Sequence, residues 1–587
     1  MKKSIILAAL AVVGISLASC DDFLDDNRYP LTLETDSPAY WNNPDNVSLE
    51  VNQMYAYFTG YATGSTHGEF YFNTRTDDQC PSSFQDWSFT SVPTSSTSYT
   101  NPYTNIRHSV MIINRVQQSS LEPSVKANFL GIARLCRAFQ EYYLVRRYGD
   151  CHFIEEPVDP ANEELLFDSP REKRDVVFDK ILEDLNFACE NISVQKAAQS
   201  WSKDLAYAMK SYMCLCEGTY RKYCTLAENG LAPDPERAKM LLQESAKASD
   251  YLINSGRYSL SEKYRANYQS FYTDASEVPA MINNPEMILF RAYASNVTMN
   301  CVQDYTCGST TIDGLTKDAF DAYLFKDGKP KALTSLNTSD EAILSSDGTV
   351  LSIAAALAVR DNRLAQTTDS AIYFNGSQDG KQFTWKRAGA MQMTSSTGYG
   401  VSKYDNTALL VDDRITTRNT VCAPIYWYSV ILLENAEAKA ELGTLTDADM
   451  GKTLNLLYKR AELPDQTVAS LSSMQDPANN MGVSSLIWEV RRCRRCELIM
   501  DYDFRYWDLI RWHQLDKIDT AANPNILLGA NAKNSPIAVS NTNGYINGNA
   551  NYPTLKRTFD KKYYSYPIPS GQIILNNKLG QNFGWEQ

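Results

Sequence analysis

Ala133-Arg134-Leu135-Cys136-Arg137-Ala138-Phe139-Gln140-Glu141-Tyr142-Tyr143-Leu144-Val145-Arg146-Arg147-Tyr148-Gly149-Asp150 is the stretch that decides the fold class. Within the run from Val125 to Tyr148, Leu130, Ala133, Arg134, Arg137, Ala138, Tyr142 and Val145 recur at the spacing of one helical face. A helix of this length needs partners to cover that face, and the flanking sequence supplies them. Upstream, helical periodicity runs from Tyr103 to Gln118, and a first helix reads from Trp41 to Phe58, entered through Asn43-Pro44.

Downstream, two helical hairpins are expected. Leu205 to Tyr223 pairs with Pro235 to Ile253 across a turn holding Pro233, and Pro235 suits a helix start. Ile425 to Leu442, ending near Gly443, pairs with Met450 to Glu462. Ala206, Ala208, Ala436, Ala438 and Ala440 let neighbouring helices approach closely. The reading is mostly α: a tetratricopeptide-like stack of helix pairs, without the full repeat signature. Residues 256–421 break the pattern as a large, loop-rich insertion holding Cys301, Tyr305, Cys307, Trp385 and Tyr399, expected to pack on the stack and supply loops to a common surface. Residues 60–102 form a second long polar stretch, rich in Ser, Thr, Gly and Pro, and ordered loops of that length are often functional.

The N-terminus is a different kind of signal. Lys2 and Lys3 precede an apolar run from Ile5 to Leu17, too short to span a bilayer and typical of a secretory leader. Its exit, Leu17-Ala18-Ser19-Cys20, resembles the bacterial lipobox, in which Cys20 would be lipidated and begin the mature chain. The expected layout is a leader over 1–19, a lipidated tether over 20–40 containing Pro30 and Pro38, and one intertwined body over 41–587. Asp21, Asp22, Asp25 and Asp26 follow the cysteine and resemble a surface-export signal of Bacteroidetes lipoproteins. A chain so anchored sits on a membrane without crossing it.

Composition narrows the function. The net charge of −13 and the lack of a basic stripe argue against nucleic acid as a partner. The 36 Tyr and 9 Trp exceed what a signal of mere globularity needs. Most must be core, but Tyr and Trp in loops offer flat apolar faces with a polar tip, which suit the C–H faces of sugar rings. Cys493 and Cys496 stand one helical turn apart with no second such pair, and Cys214, Cys216 and Cys224 lie on a helical segment. All read as small apolar fillers. There is no H-E-x-x-H or G-x-S-x-G motif, and no metal or other cofactor is implied. A glycosidase would need two carboxylates about 5–9 Å apart. Asp77-Asp78, in the early loop, is the pair to examine first.

Ordered motifs now give a resemblance. The quoted arginine–aromatic helix with its Gly-Asp turn, Ser255-Gly256-Arg257-Tyr258, Asp361-Asn362-Arg363-Leu364, Glu434-Asn435-Ala436-Glu437-Ala438, Trp488-Glu489-Val490-Arg491-Arg492, Phe504-Arg505-Tyr506-Trp507-Asp508 and Tyr566-Pro567-Ile568-Pro569 together resemble the SusD/RagB family of Bacteroidetes nutrient-binding lipoproteins. Ile499-Met500-Asp501 departs from the family's commoner wording. The resemblance implies a binding protein without catalysis, held at the outer-membrane surface through Cys20, that takes a glycan on aromatic loops and delivers it to a SusC-like TonB-dependent transporter. The expected ligand residues are Arg75, Asp77, Asp78, Gln85, Trp87, Tyr305, Trp385 and Tyr399, with Trp87 foremost. Arg134, Arg137, Glu497, Arg505, Asp508 and Arg511 are read instead as scaffold, their guanidinium groups pairing with carboxylates between helices. A RagB-like peptide binder and, further off, a surface glycosidase are the alternatives.

Overall fold

The computed structural model describes residues 37–63, 68, 70, 74–81, 90–159, 161–260, 278–302, 313–378, 381–385, 395–404, 417–535, 543–549 and 556–586, with the side chains of 165, 375–378 and 381–385 outside the description. Its frame is a sequential stack of helices. After a short α1 (Pro44–Gln53) come α2 (Thr97–Gln118), α3 (Pro123–Tyr148), α4 (Arg174–Asn191), α5 (Lys203–Tyr223), α6 (Pro235–Asn254) and α7 (Tyr428–Leu442), each of α2 to α7 packed on the next. Two late helices, α8 (Ser485–Glu497) and α9 (Phe504–Arg511), close the stack against α7 and α5 respectively. The mostly α, tetratricopeptide-like reading holds.

Local chemistry sets the helix ends. Ser202 accepts a hydrogen bond from the Leu205 amide (3.2 Å) and starts α5. Asp234 accepts from the Arg237 amide (3.0 Å), with Pro235 at the first helical position of α6. Gly443 ends α7 in the left-handed region, φ 70°. α5 is buried nearly all round, as a helix at the centre of a stack must be. Gly218 lies where α6 crosses it: a Cβ there would meet Leu242 Cγ at 3.0 Å and the Ala238 carbonyl oxygen at 3.3 Å. Gly218→Val should therefore push the helices apart and lower stability by about 1–3 kcal/mol, read as a fall in denaturation midpoint at unchanged m-value.

Several expected boundaries shift. α2 begins at Thr97, six residues before Tyr103, and carries Pro102 inside it, where the ring removes one i→i−4 hydrogen bond. The first expected helix divides into Pro38–Trp41, α1 and a 3-10 turn at Met54–Tyr57. Residues 423–427 form a strand paired with Met287–Arg291 ahead of α7. The partner expected after α7 divides at Thr453 into Asp447–Lys452 and Leu454–Arg460. α4 is missing from the expected pairs although Val177, Phe178, Ile181, Leu185 and Ala188 give it a full buried stripe.

The insertion contributes a four-stranded antiparallel sheet built from Ile343–Leu344, Leu351–Ser352, Thr368–Ile372 and Tyr399–Val401. Its core runs without a break into that of the stack.

Buried arginines key the helices to one another. Arg137 on α3 donates to Asp184 on α4 (2.7 and 2.9 Å), and Arg174 on α4 donates to Glu217 on α5 (2.7 Å twice). Glu437 on α7 is the hub of the late helices. It accepts two bonds from Arg511 (2.6 and 2.7 Å) and one from Trp512 Nε1 (2.7 Å). Arg511 and Arg494 share Asp508 at 2.8 Å each. Arg363, from the insertion, bonds Asp361 and reaches Glu497 on α8 at 3.1 Å. Of the residues read from sequence as scaffold, Arg137, Glu497, Asp508 and Arg511 stand in these pairs. Cys80, Cys136, Cys151, Cys189, Cys214, Cys216, Cys224, Cys493 and Cys496 are free and buried.

Candidate functional site

Between the first turns of α2, the outer face of α3 and the segment leading into α9 lies an open cavity of about 500 Å³. Tyr57, Phe139, Tyr143, Tyr426, Tyr502 and Phe504 line it, each half-buried, so that part of each ring remains exposed. A groove of similar volume (about 530 Å³), between α2 and residues 572–579, is lined by Tyr99, Tyr103 and Phe167 together with aliphatic groups such as Leu166 and Leu575.

The helix geometry explains why these rings face outward. On α3, Tyr142 and Arg147 turn into the stack and are buried, while Tyr143 and Arg146, three residues apart on the neighbouring face, reach the cavity. Arg146 lies over the Trp507 ring (4.5 Å) and the Tyr143 ring (5.0 Å), which fixes a cation among the aromatics. Tyr502 sits in the left-handed region (φ 45°), costly for a bulky residue. Packing against Phe70 (4.4 Å), Phe504 (5.4 Å) and Trp427 (6.4 Å) holds it there.

Polar groups are set between the rings. Asn105 Nδ2 donates to Gln140 Oε1 (3.1 Å), pairing two amides of the wall. The Tyr57 hydroxyl is 2.7 Å from His108 Nδ1, His108 Nε2 is 3.6 Å from Glu50, and the Tyr40 hydroxyl donates to the other Glu50 oxygen (2.8 Å). A proton on Nε2, which faces the carboxylate, would leave Nδ1 to accept from Tyr57. The Tyr57 oxygen then keeps its acceptor capacity. Burial pushes that phenol well above its ordinary pKa, so it stays a neutral hydroxyl. Asp503 is the carboxylate of the described wall and pairs with Arg75 at 3.5 Å.

The expected ligand residues divide. Arg75 stands behind the cavity, donating to the Tyr566 hydroxyl (3.3 Å) and stacking on Tyr506 (4.8 Å), where it braces Asp503. Asp77 and Asp78, expected as ligand residues of the early loop, are buried and are not part of the aromatic cavity wall. Asp77 accepts two bonds from Arg505 (2.8 and 2.7 Å), and Asp78 accepts from Arg495 (2.8 Å). Burial alone would raise both carboxyls; Arg495 and Arg505 outweigh it at Asp77, which titrates low, whereas Asp78 remains raised. Tyr399 is likewise wholly buried, its ring stacked on Phe320 at 4.6 Å, so it presents no face to a ligand in this structure. Trp385 lies on a strand, 381–385, paired with 374–378, and its side chain is outside the described part. Gln85, Trp87, Tyr305 and Cys20 lie outside the described residues. Tyr57, Asn105, Gln140, Tyr143, Tyr426 and Tyr502 are wall residues that sequence reasoning missed. The available signal was Tyr143-x-x-Arg146 on a face of α3 outside its core stripe.

The architecture and this cavity can be set beside known proteins. The profile of the SusD family matches residues 285–585, more than half the chain. The chain belongs to the SusD family. A second profile, described as starch-binding associating with outer membrane, matches residues 22–215, the SusD-like region that contributes α2 and α3 to the cavity. Among solved structures, a SusD-like carbohydrate binding protein from Bacteroides fragilis superposes with a TM-score of 0.66 at 18% identity, covering 92% of this chain and 100% of that one. A second SusD-like protein from Bacteroides fragilis gives 0.62 at 20% identity (93% and 98% covered), and a SusD homolog from Bacteroides thetaiotaomicron gives 0.60 at 17% (94% and 99%). At such identities the superpositions speak for the SusD fold alone. No curated protein sequence matches this chain.

Proposed function

We propose that this protein is a glycan-capture lipoprotein of the outer-membrane surface that passes oligosaccharide to a SusC-like TonB-dependent transporter. The observation that carries the reading is the open cavity with half-exposed tyrosines and phenylalanines interleaved with amides, one cation and one carboxylate. Aromatic faces take the C–H face of a pyranose, and the amides, Arg146 and the Tyr57 oxygen take its hydroxyls. The family profile described as starch-binding associating with outer membrane supports both the ligand class and the compartment. Cys20 would carry the lipid, residues 1–19 would be removed, and residues 20–40 would tether a single body formed by residues 41–587. Among the described residues no helix is long and apolar enough to cross a membrane.

The reading is capture without turnover, as the family resemblance implies; Asp503, tied to Arg75, is the carboxylate of the described wall. Affinity electrophoresis of the purified protein against plant, host and microbial polysaccharides tests the reading. One glycan should retard it with no release of reducing sugar. Trp87→Ala, in the early loop, and Tyr426→Ala, in the cavity wall, should each weaken the retardation about tenfold, the loss of one stacked ring. Retardation by no glycan, with saturable binding of a peptide mixture, would replace this reading with the RagB-like one.

A further inference from the structure

A second cleft, of about 330 Å³, opens beside α8 and shares no lining residue with the aromatic cavity. Its floor is cationic: Arg491, Arg492 and Arg495 from α8 and Arg505 from α9, with Trp488 alongside. Its rim, at Ala332, Ala478 and Asn480, is exposed.

The carboxylates in the wall are already engaged. Asp77 takes both bonds from Arg505, and Asp318 pairs with Arg495 Nη2 (2.9 Å). Asp476 takes the Ala478 amide (3.0 Å), Trp488 Nε1 (3.2 Å) and Arg492. Asp321 faces Lys331 (3.2 Å) and Arg360 (3.5 Å). The donors are not used up. Arg495 bonds through Nε and Nη2, and Arg505 through the same two nitrogens; among the described residues Nη1 of each has no hydrogen-bond partner. Arg491 Nη1 meets only the Met481 sulfur (3.7 Å), and its Nε meets nothing. Asp78 Oδ2 is an orphaned acceptor nearby, but Asp78 is not part of the wall.

Unspent capacity in this cleft is therefore donor capacity on guanidinium groups, which present fixed forks of N–H bonds suited to oxyanions. We infer that the cleft is a second binding site that takes one oxyanion group, the carboxylate or sulfate of an acidic saccharide. The volume leaves room for a single sugar ring behind that group. Glu441 and Glu489 balance Arg491 and Arg492 from behind, so the site is no deep positive well, and a Kd on the order of 1 mM is expected. The inference is independent of the glycan reading, since the two cavities have separate walls.

The test titrates the full chain with sodium galacturonate, sodium sulfate and galactose at constant ionic strength, following Trp fluorescence and melting temperature. Galacturonate should saturate and raise the melting temperature, sulfate should compete with it, and galactose should do neither. Ala478→Glu, which sets a carboxylate on the exposed rim, should weaken galacturonate at least tenfold while leaving the unliganded melting temperature unchanged. Trp488→Phe should abolish the fluorescence response but keep the thermal one, and Tyr426→Ala should change neither. Failure of both anions to saturate, an equal response to galactose, or undiminished binding in Ala478→Glu would overturn the site. Saturation by sulfate alone would overturn the saccharide source and leave a site for free inorganic oxyanions.

Discussion

Replacing Glu437 with alanine is expected to destabilise the protein by about 3–5 kcal/mol, the cost of breaking a buried ion pair by removing one partner. The side chain is almost fully buried and accepts from Arg511 twice and from Trp512 once. Alanine leaves Arg511 Nη2 and the Trp512 indole N–H inside the stack without an acceptor, while Arg511 keeps Asp508 (2.8 Å) and Thr219 (3.0 Å). Arg511→Met alone should cost a comparable amount. The pair Glu437→Met with Arg511→Met should recover much of it, because burying a matched ion pair gains little over packing apolar groups of similar size. Urea denaturation of the four proteins checks the cycle, and additive losses in the double variant would show that the two residues do not act as a pair.

One helical turn earlier the same chemistry runs the other way, and this gives the second large effect. Burial pushes the carboxyls of Glu434 and Glu141 up to about 8. Glu434 accepts one bond from Ser211 (2.6 Å) and Glu141 one from the Ile154 amide (3.1 Å), too little to hold a charge in the interior. A carboxyl raised in the folded state binds a proton that the unfolded chain has released. Its stability contribution is fully present below the unfolded value of about 4.3 and is lost as pH rises toward 8. Each group should withdraw on the order of 5 kcal/mol across that window. At Asp77 and Glu437 burial opposes ionisation, but Arg495 and Arg505, and Arg511, prevail and hold the carboxyls low. Their contribution is present above about pH 4 and is lost as pH falls through the folded values. Glu434→Gln, which imitates the protonated form, should leave the melting temperature at pH 5 nearly unchanged and raise it clearly at pH 8.5. An identical pH profile in wild type and variant would mean that Glu434 is already ionised in the folded protein.

The contrast between Glu434 and Glu437 shows how far sequence alone reaches. Both stand on one helix whose spacing and alanines are plain in the chain, and the arginines of α8 and α9 announce that carboxylates must meet them. Which glutamate they meet depends on the rotation of α7 against α8 and α9, set by contacts from segments tens of residues apart. The same limit applies at the ligand cavity. Its wall draws Tyr57, Asn105, Tyr143, Tyr426 and Tyr502 from five places along the chain, and only the stack brings them together. Asp77 and Asp78 read as loop residues because their neighbours are polar; the arginines that bury them lie more than 400 positions later. α4 was legible throughout, with a stripe as regular as that of α3. The short strand before α7 was not, since Ala423 to Trp427 carries apolar groups that serve a buried strand or a helix start equally well.

The central claim is that the aromatic cavity holds the glycan. The most direct test is calorimetric titration of the protein, and of its Tyr143→Ala and Tyr426→Ala variants, with an oligosaccharide of the polysaccharide that retards it. Each variant should bind about tenfold more weakly, the double variant more weakly still, with melting temperatures close to that of the wild type, since both rings are partly exposed. Undiminished affinity in both variants would contradict it and place the glycan elsewhere on the protein.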